Sequence, residues 1–436
     1  MTALASTRLS EIAPHLRRAG GRFGTPVSVT DMVELTSAAE TITSAFPDPW
    51  LRSFSVKAND VSAIVGRVAS LGFGANVVSR GEWAVARRAG LPDARVTFEG
   101  VGKSDADLRA AVDAAASGHP PRWLAVESLD EANALVRIAA ARLGRGTLDL
   151  LFRLNPAVAP DTSAGLAVGA AGSKFGMTAD ELTAAIGATD SVAGLVPRGI
   201  HLHVGSQLQT VDAWRDATRR GLALGALIRG GRPGFDTLDL GGGFPVAPSD
   251  EPVPSPAHFA REVPGLLVGV AADRRPTRFA IEPGRYLVAR AGLLVGRVLH
   301  IRDRGGRQVV IDVGMTEIIR PALYGARHDI VALTSLGRPA LGPSQLNADG
   351  APLHRITPDL TPALVEGPLC ESTDHLGEHR LPPLRRGDLV AILDTGAYAA
   401  SLASSYNGRP RPPQVILEPD GALTLVRRRG SLAGLG

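Results

Sequence analysis

The chain has 436 residues, enough for two sizeable domains, and its 44% hydrophobic and 21% charged content is ordinary for a soluble globular protein. The formal net charge is only +4. The pI near 9.6 reflects an arginine surplus, with no basic block or aromatic-interleaved stripe, so no nucleic-acid partner is expected. A single cysteine, Cys370, excludes an intrachain disulfide framework and fits a reducing cytosol. Neither a run of about 18 apolar residues nor the apolar core of a signal peptide is present, so the expectation is a cytoplasmic protein with no membrane contact.

In chain order, residues 1–26 are expected to form an N-terminal segment that packs with a later β-domain. From residue 27 short β-type runs alternate with Ala-rich stretches of helical spacing. The runs are "FSVKA" (54–58), "GANVVS" (74–79), "ARVTFEG" (94–100), "RWLAVES" (122–128), "LDLLFRLN" (148–155), "RGIHLHVGS" (198–206), "FDTLDLGGG" (235–243) and "RFAIEPG" (278–284). Eight β-then-α units predict a (β/α)8 barrel over 27–290; the alternative is a doubly wound open sheet, which shares buried strands and helical crossovers. The Pro-rich stretch 245–256 reads as a loop above the barrel. After residue 290 the pattern becomes strand-like with little helix, which predicts an antiparallel β-domain over 291–436. Within it, 336–361 is rich in Gly, Pro and polar residues and reads as an exposed excursion.

Three lysines, Lys57, Lys103 and Lys174, stand against 44 arginines. Arginine cannot give up its proton at neutral pH, whereas lysine can act as a nucleophile and condense with an aldehyde. Keeping Lys57 at the end of an apolar run in so arginine-rich a chain therefore invites a covalent reading. The plainer reading is a lysine that pairs a carboxylate. In barrels the reactive groups sit at the C-terminal ends of the strands. Lys57, Ser79, Glu127, Asn155, His203, Ser206, Gly241, Gly242, Gly243 and Glu282 all fall at or just past a predicted strand end, which favours the covalent reading.

"LDLGGGFP" places three glycines after the seventh predicted strand, where backbone N–H groups can cradle a phosphate; a tight turn is the plainer reading. His201 and His203, two apart on a strand, could form a metal pair, but no third ligand has a recognisable spacing and no metal is expected. Glu282 and Arg285 in "IEPGR" end the eighth run. The four tyrosines, Tyr286, Tyr324, Tyr398 and Tyr406, each lie in a motif-like segment. Cys370 lies in "EGPLCESTD", a polar setting unlike a core.

Taken in order, "FSVKAND", "NVVSRGEWAVARRAG", "FEGVGKSDADL", "LFRLNP", "SKFGM", "HLHVGSQ", "DLGGGFP", "EPGR", "DVGMTEIIRPALYGARHDI", "EGPLCESTDHL" and "GAYAASLASSYNGRPRP" resemble the fold-type III pyridoxal-phosphate decarboxylases, in their diaminopimelate decarboxylase branch. The resemblance runs from about residue 20 to 427 and implies a (β/α)8 barrel of alanine-racemase type with a C-terminal β-domain. It implies pyridoxal 5'-phosphate held covalently by Lys57, stacked on His203, and bound at its phosphate by Ser206, Gly241, Gly242, Gly243 and Tyr398. Glu282 would pair with the pyridine nitrogen and keep it protonated, making the ring a strong electron sink. The related alanine racemases carry arginine there, so Glu282 favours decarboxylation.

The same resemblance implies a homodimer with shared active sites, to which Cys370 and Glu371 come from the partner subunit. Cys370 would reprotonate the substrate carbon and Glu371 would hold the far ammonium group. Arg285, Arg320 and Tyr324 would grip the far carboxylate of a small amino-acid substrate. The expected reaction is meso-2,6-diaminopimelate to L-lysine and CO2. The alternatives are a related decarboxylase of a modified or different diamino acid in siderophore or other secondary-metabolite assembly, and a non-catalytic carrier of the cofactor. This chain departs from the family pattern at Asn76, where aspartate is usual, in "DTSAGLAVGAAG" before Ser173, and at its C-terminal end.

Overall fold

The computed structural model describes residues 3–162, 164–247, 252–341 and 360–434. The chain divides into two compact units, one of residues 38–246 and 253–287, the other of 1–37, 247–252 and 288–436. The first strand, β1 (Val27–Asp31), belongs to the second unit.

The first unit is a closed barrel of eight parallel strands: β2 (Leu51–Ser55), β3 (Gly74–Val77), β4 (Val96–Phe98), β5 (Trp123–Val126), β6 (Leu148–Arg153), β7 (Leu195–His201), β8 (Thr237–Asp239) and β9 (Arg278–Ile281). Leu51 and Arg52 pair with Ala280 and Ile281, which closes the ring and removes the open-sheet alternative. The strands coincide in order with the eight predicted runs. Their residues are mostly buried, as strands covered by helices must be. Polar residues past the strands start the helices that follow. The Ser79 side chain accepts from Glu82 N at the head of the helix Arg80–Arg88, and Ser104 with Asp107, like Thr178 with Glu181, forms a reciprocal capping box.

The second unit holds the remaining strands: β10 (Gly292–Asp303), β11 (Arg307–Ile311), β12 (Ile330–Ala332), the short pair β13 (Thr334–Ser335) and β14 (Arg338–Pro339), β15 (Thr361–Glu366), β16 (His375–Leu381), β17 (Leu389–Ile392), β18 (Gln414–Leu417) and β19 (Leu423–Arg427). Nine strands form one sheet in the order β16-β15-β11-β10-β1-β18-β19, with β17 joining β10 and β12. It is mostly antiparallel; β1–β18 and β11–β15 are parallel. The helix Ala3–Phe23 packs here, burying Leu9, Ile12, Ala13, Leu16 and Ala19 in one core with Val27, Val29, Leu293, Val295 and Val415. Because β1 lies between β10 and β18, the barrel begins later than the expected residue 27, and residues up to Ser37 go with the sheet. Residues 248–251 of the expected loop and 342–359 of the expected excursion lie outside the described residues.

Candidate active site

Strand β2 ends at Ser55 and passes into a single 3-10 turn, Val56–Ala58. Val56 and Ala58 are buried and Lys57 between them is exposed, so the turn presents the lysine away from the core. Ser55 N donates to Pro283 O at 3.2 Å and Ser55 Oγ to Glu282 O at 3.1 Å, tying the Lys57 turn to the end of β9. Glu82 accepts from Val78 N at 2.9 Å; burial raises its pKa, while that bond and the charge of Lys57 pull the other way. The other lysines are placed differently. Lys103 is buried in an ion pair with Glu131 at 3.0 Å. Lys174 is exposed on a loop, its Nζ 5.4 Å from the Phe175 ring centroid.

Glu282 is buried just past β9. Its Oε1 accepts from the side-chain amide of Asn76, and its Oε2 lies 3.5 Å from Nε2 of His201. The same His201 nitrogen lies 3.3 Å from Oε2 of Glu99. Burial first, and the charge of Glu282 second, push the Glu99 carboxyl up to about 8. Burial and the charges of Glu282 and Glu99 likewise raise Asp239, whose Oδ1 accepts from Gly241 N at 2.9 Å. His201 is driven down to about 4, chiefly by burial. Four strands thus bring three carboxyls and a neutral histidine together, and burial with their mutual repulsion raises the proton affinity of Glu99 and Asp239. Glu99, His201 and Glu282 offer ligand atoms within 4.8 Å of one another.

Beside it lies the glycine turn that follows β8. Gly241 and Gly243 have φ of +64° and +110°, in the region that favours glycine. A Cβ on Gly241 would stand 2.3 Å from Leu202 O, and one on Gly243 would stand 2.8 Å from Leu208 Cδ1. Gln207 latches this turn to the preceding one, accepting from Val246 N at 2.7 Å and donating to Val246 O at 2.9 Å. Ser206 Oγ accepts from Arg285 Nε at 3.2 Å and from its terminal nitrogen at 3.0 Å. His203 Nδ1 accepts from Gly242 N at 3.3 Å, which places the ring hydrogen on Nε2. Burial, followed by the charges of Lys57 and Arg153, holds His203 well below the usual histidine range, so it is neutral. His201 and His203 therefore have different partners.

Three strand-end residues serve structure. Ser79 caps its helix. Glu127 pairs with Arg153 at 2.7 Å, both buried. Asn155 donates to Ala170 O and Phe175 O at 3.1 and 3.0 Å, bracing the long loop after β6.

The remaining candidates lie in the second unit. Arg320 opens the short helix Arg320–Tyr324, and Tyr324 at its end is 40% exposed. Arg320 is bonded to His328, a residue to which sequence reasoning gave no role. Cys370 and Glu371 are exposed, and Tyr406 donates its hydroxyl to Glu371. Their loop is pinned by buried Asp374, which accepts from Met315 N at 2.6 Å and Leu369 N at 2.8 Å. Tyr398 is half-buried with φ +60°, a strained conformation for a non-glycine residue.

A family profile described as "Pyridoxal-dependent decarboxylase, pyridoxal binding domain" matches residues 32–289. The diaminopimelate decarboxylase of Neisseria meningitidis serogroup A is 34% identical over 428 residues, covering 98% of this chain and 97% of that protein. That of Aquifex aeolicus is 32% identical over 420 residues, covering 95% and 91%. Among solved structures, the diaminopimelate decarboxylase of Helicobacter pylori complexed with L-lysine superposes with a TM-score of 0.83 at 29% identity, covering 96% of this chain and 98% of that one.

Proposed function

The chain belongs to the pyridoxal-dependent decarboxylase family, and from that premise we propose that it converts meso-2,6-diaminopimelate to L-lysine and CO2. The cofactor is pyridoxal 5'-phosphate, which supplies an electron sink for the carbanion left when CO2 departs. The residues present fit it. Lys57 offers an amine at a strand end. The Gly241–Gly243 turn with Ser206 offers a phosphate cradle, in a turn too closely packed for side chains at those glycines. Glu282 offers a buried carboxylate for the pyridine nitrogen.

Glu282 is the observation that carries the chemistry. Asn76 satisfies one of its oxygens without adding negative charge. A carboxylate there would pair with a facing ring nitrogen that carries a proton. Neutral His203, with its hydrogen on Nε2, suits a flat aromatic partner better than an imidazolium would. Arg285, bonded to Ser206, adds positive charge on the phosphate side of the site.

The substrate reading rests on the full-length likeness to diaminopimelate decarboxylases. Arg320 and Tyr324 grip the far carboxylate, with Arg285 available to it as well. Glu371 takes the far ammonium group, and the Cys370 thiol gives its proton to the carbon that lost CO2. The enzyme acts as a homodimer in which Cys370 and Glu371 serve the site of the partner subunit, while Tyr398 adds a hydroxyl to the phosphate. No helix among the described residues is long and apolar enough to cross a membrane. A working thiol needs a reducing compartment, which supports a cytoplasmic enzyme.

The test is purified protein incubated with a panel of diamino acids and followed by CO2 release. Fastest release from meso-2,6-diaminopimelate, with L-lysine formed, is the expected result. A different diamino acid turned over faster would replace the substrate assignment, and a cofactor-loaded protein that releases no CO2 from any of them would remove the decarboxylase reading.

A further inference from the structure

We propose that His328 is a positioning residue that aims Arg320 at the far carboxylate of the substrate, an inference that rests on the reading of Arg320 given above. The terminal nitrogen NH1 of Arg320 lies 2.9 Å from His328 Nε2, and His328 Nδ1 lies 2.9 Å from Leu393 O. A guanidinium donates and cannot accept, so Nε2 must present its lone pair. A carbonyl oxygen accepts and cannot donate, so Nδ1 must carry the hydrogen. The two partners together select a single neutral tautomer, and His328 is only 2% exposed.

The local chain builds this pair. Arg320 starts a helix of five residues, Gly325 ends it in the left-handed conformation at φ +62°, and Gly325 N donates to Pro321 O at 3.0 Å. The tight ending returns the chain within a few residues, so that His328 meets the arginine at the start of the same turn. Leu393, just past β17, pairs its own N with Asp329 O at 2.9 Å, which fixes the carbonyl that orients the ring.

The choice of an imidazole has an electrostatic consequence. A carboxylate in its place would orient Arg320 equally well but would cancel its charge and compete with the substrate. A neutral ring nitrogen orients one N–H and leaves the guanidinium cationic. Half-buried Asp394 also feels the charge of Arg320, while burial raises its pKa. The arrangement gives the arginine direction while retaining its attraction for an anion.

The test uses the dimeric holoenzyme and two probes, L-lysine and cadaverine, which differ by one carboxylate. The carboxylate of L-lysine is the one left at the far end after the reacting carbon loses CO2. Dissociation constants are measured by calorimetry beside kcat, KM for the diamino diacid, and melting temperature. His328→Asn keeps a donor near Nδ1 and loses the acceptor for Arg320; it should weaken L-lysine binding and raise KM about tenfold, while cadaverine binding and kcat stay within about twofold. His328→Gln reaches toward Arg320 with a carbonyl oxygen and should restore most of the L-lysine affinity. Unchanged L-lysine affinity in His328→Asn, or equal weakening of both probes with a lowered melting temperature, would overturn the proposal. Arg320→Met separates this from the substrate reading. If it abolishes the preference for L-lysine over cadaverine while His328→Asn does not, only the positioning role falls; if it leaves the preference intact, the role of Arg320 falls too.

Discussion

Asn76 on β3 donates its side-chain amide to Glu282 just past β9, a bond between residues 206 positions apart in the chain. The donor is neutral, so it satisfies that oxygen without adding charge to the site. Asn76→Leu leaves that oxygen without this donor in a buried site, at a cost of about 1–3 kcal/mol. The expected outcome is roughly 5- to 150-fold weaker pyridoxal phosphate binding, read by titrating the apoprotein, with kcat falling in parallel. Unchanged cofactor affinity would detach Asn76 from the site.

Lys57→Ala should remove the visible absorbance of the covalently held cofactor and all turnover while the far-UV circular dichroism spectrum is retained. Lys103→Ala should instead lower stability, because it strands the buried Glu131 carboxyl. A visible band that survives Lys57→Ala would move the covalent role to Lys103 or Lys174.

Mixed dimers test the shared site. Lys57→Ala and Cys370→Ala are each expected to be inactive, but a hybrid of the two contains one site with both groups. Mixing should restore part of the wild-type rate, up to about a quarter if subunits exchange at random and each intact site acts alone. Exchange demonstrated by mass spectrometry without recovered CO2 release would place Cys370 in the same subunit as the lysine it serves.

Glu99 gives a pH signature with a definite sign. Its folded pKa, raised from 4.5 to about 8, exceeds the unfolded value, so the folded chain binds the extra proton across that window. Stability must then fall as pH rises from about 4.5 to about 8. Glu99→Gln has no proton to lose, and its denaturant midpoint should decline less than the wild-type midpoint between pH 5.5 and 8. Parallel declines would show that the proton resides elsewhere in the cluster.

Much of this molecule is legible along the chain. Eight apolar runs with helical stretches between them specify barrel strands, because side-chain period and burial are local properties of a segment. Lys57, the glycines after β8 and Glu282 stand out because a barrel gathers its strand ends on one face. Val27–Asp31 shows the limit: nothing within the segment says that its partners are Gly292–Val295 and Gln414–Leu417 rather than a barrel neighbour. The lysines show it again, since the pairing of Lys103 with Glu131 depends on two segments meeting in space. Asn76, Glu99, His201, Asp239 and Glu282 come from five strands or their ends, with no shared spacing to reveal them. The proton affinities of Glu99, His201 and Asp239 are through-space quantities, set by desolvation and by charges a few ångströms away, and therefore exist only once the barrel has closed around them.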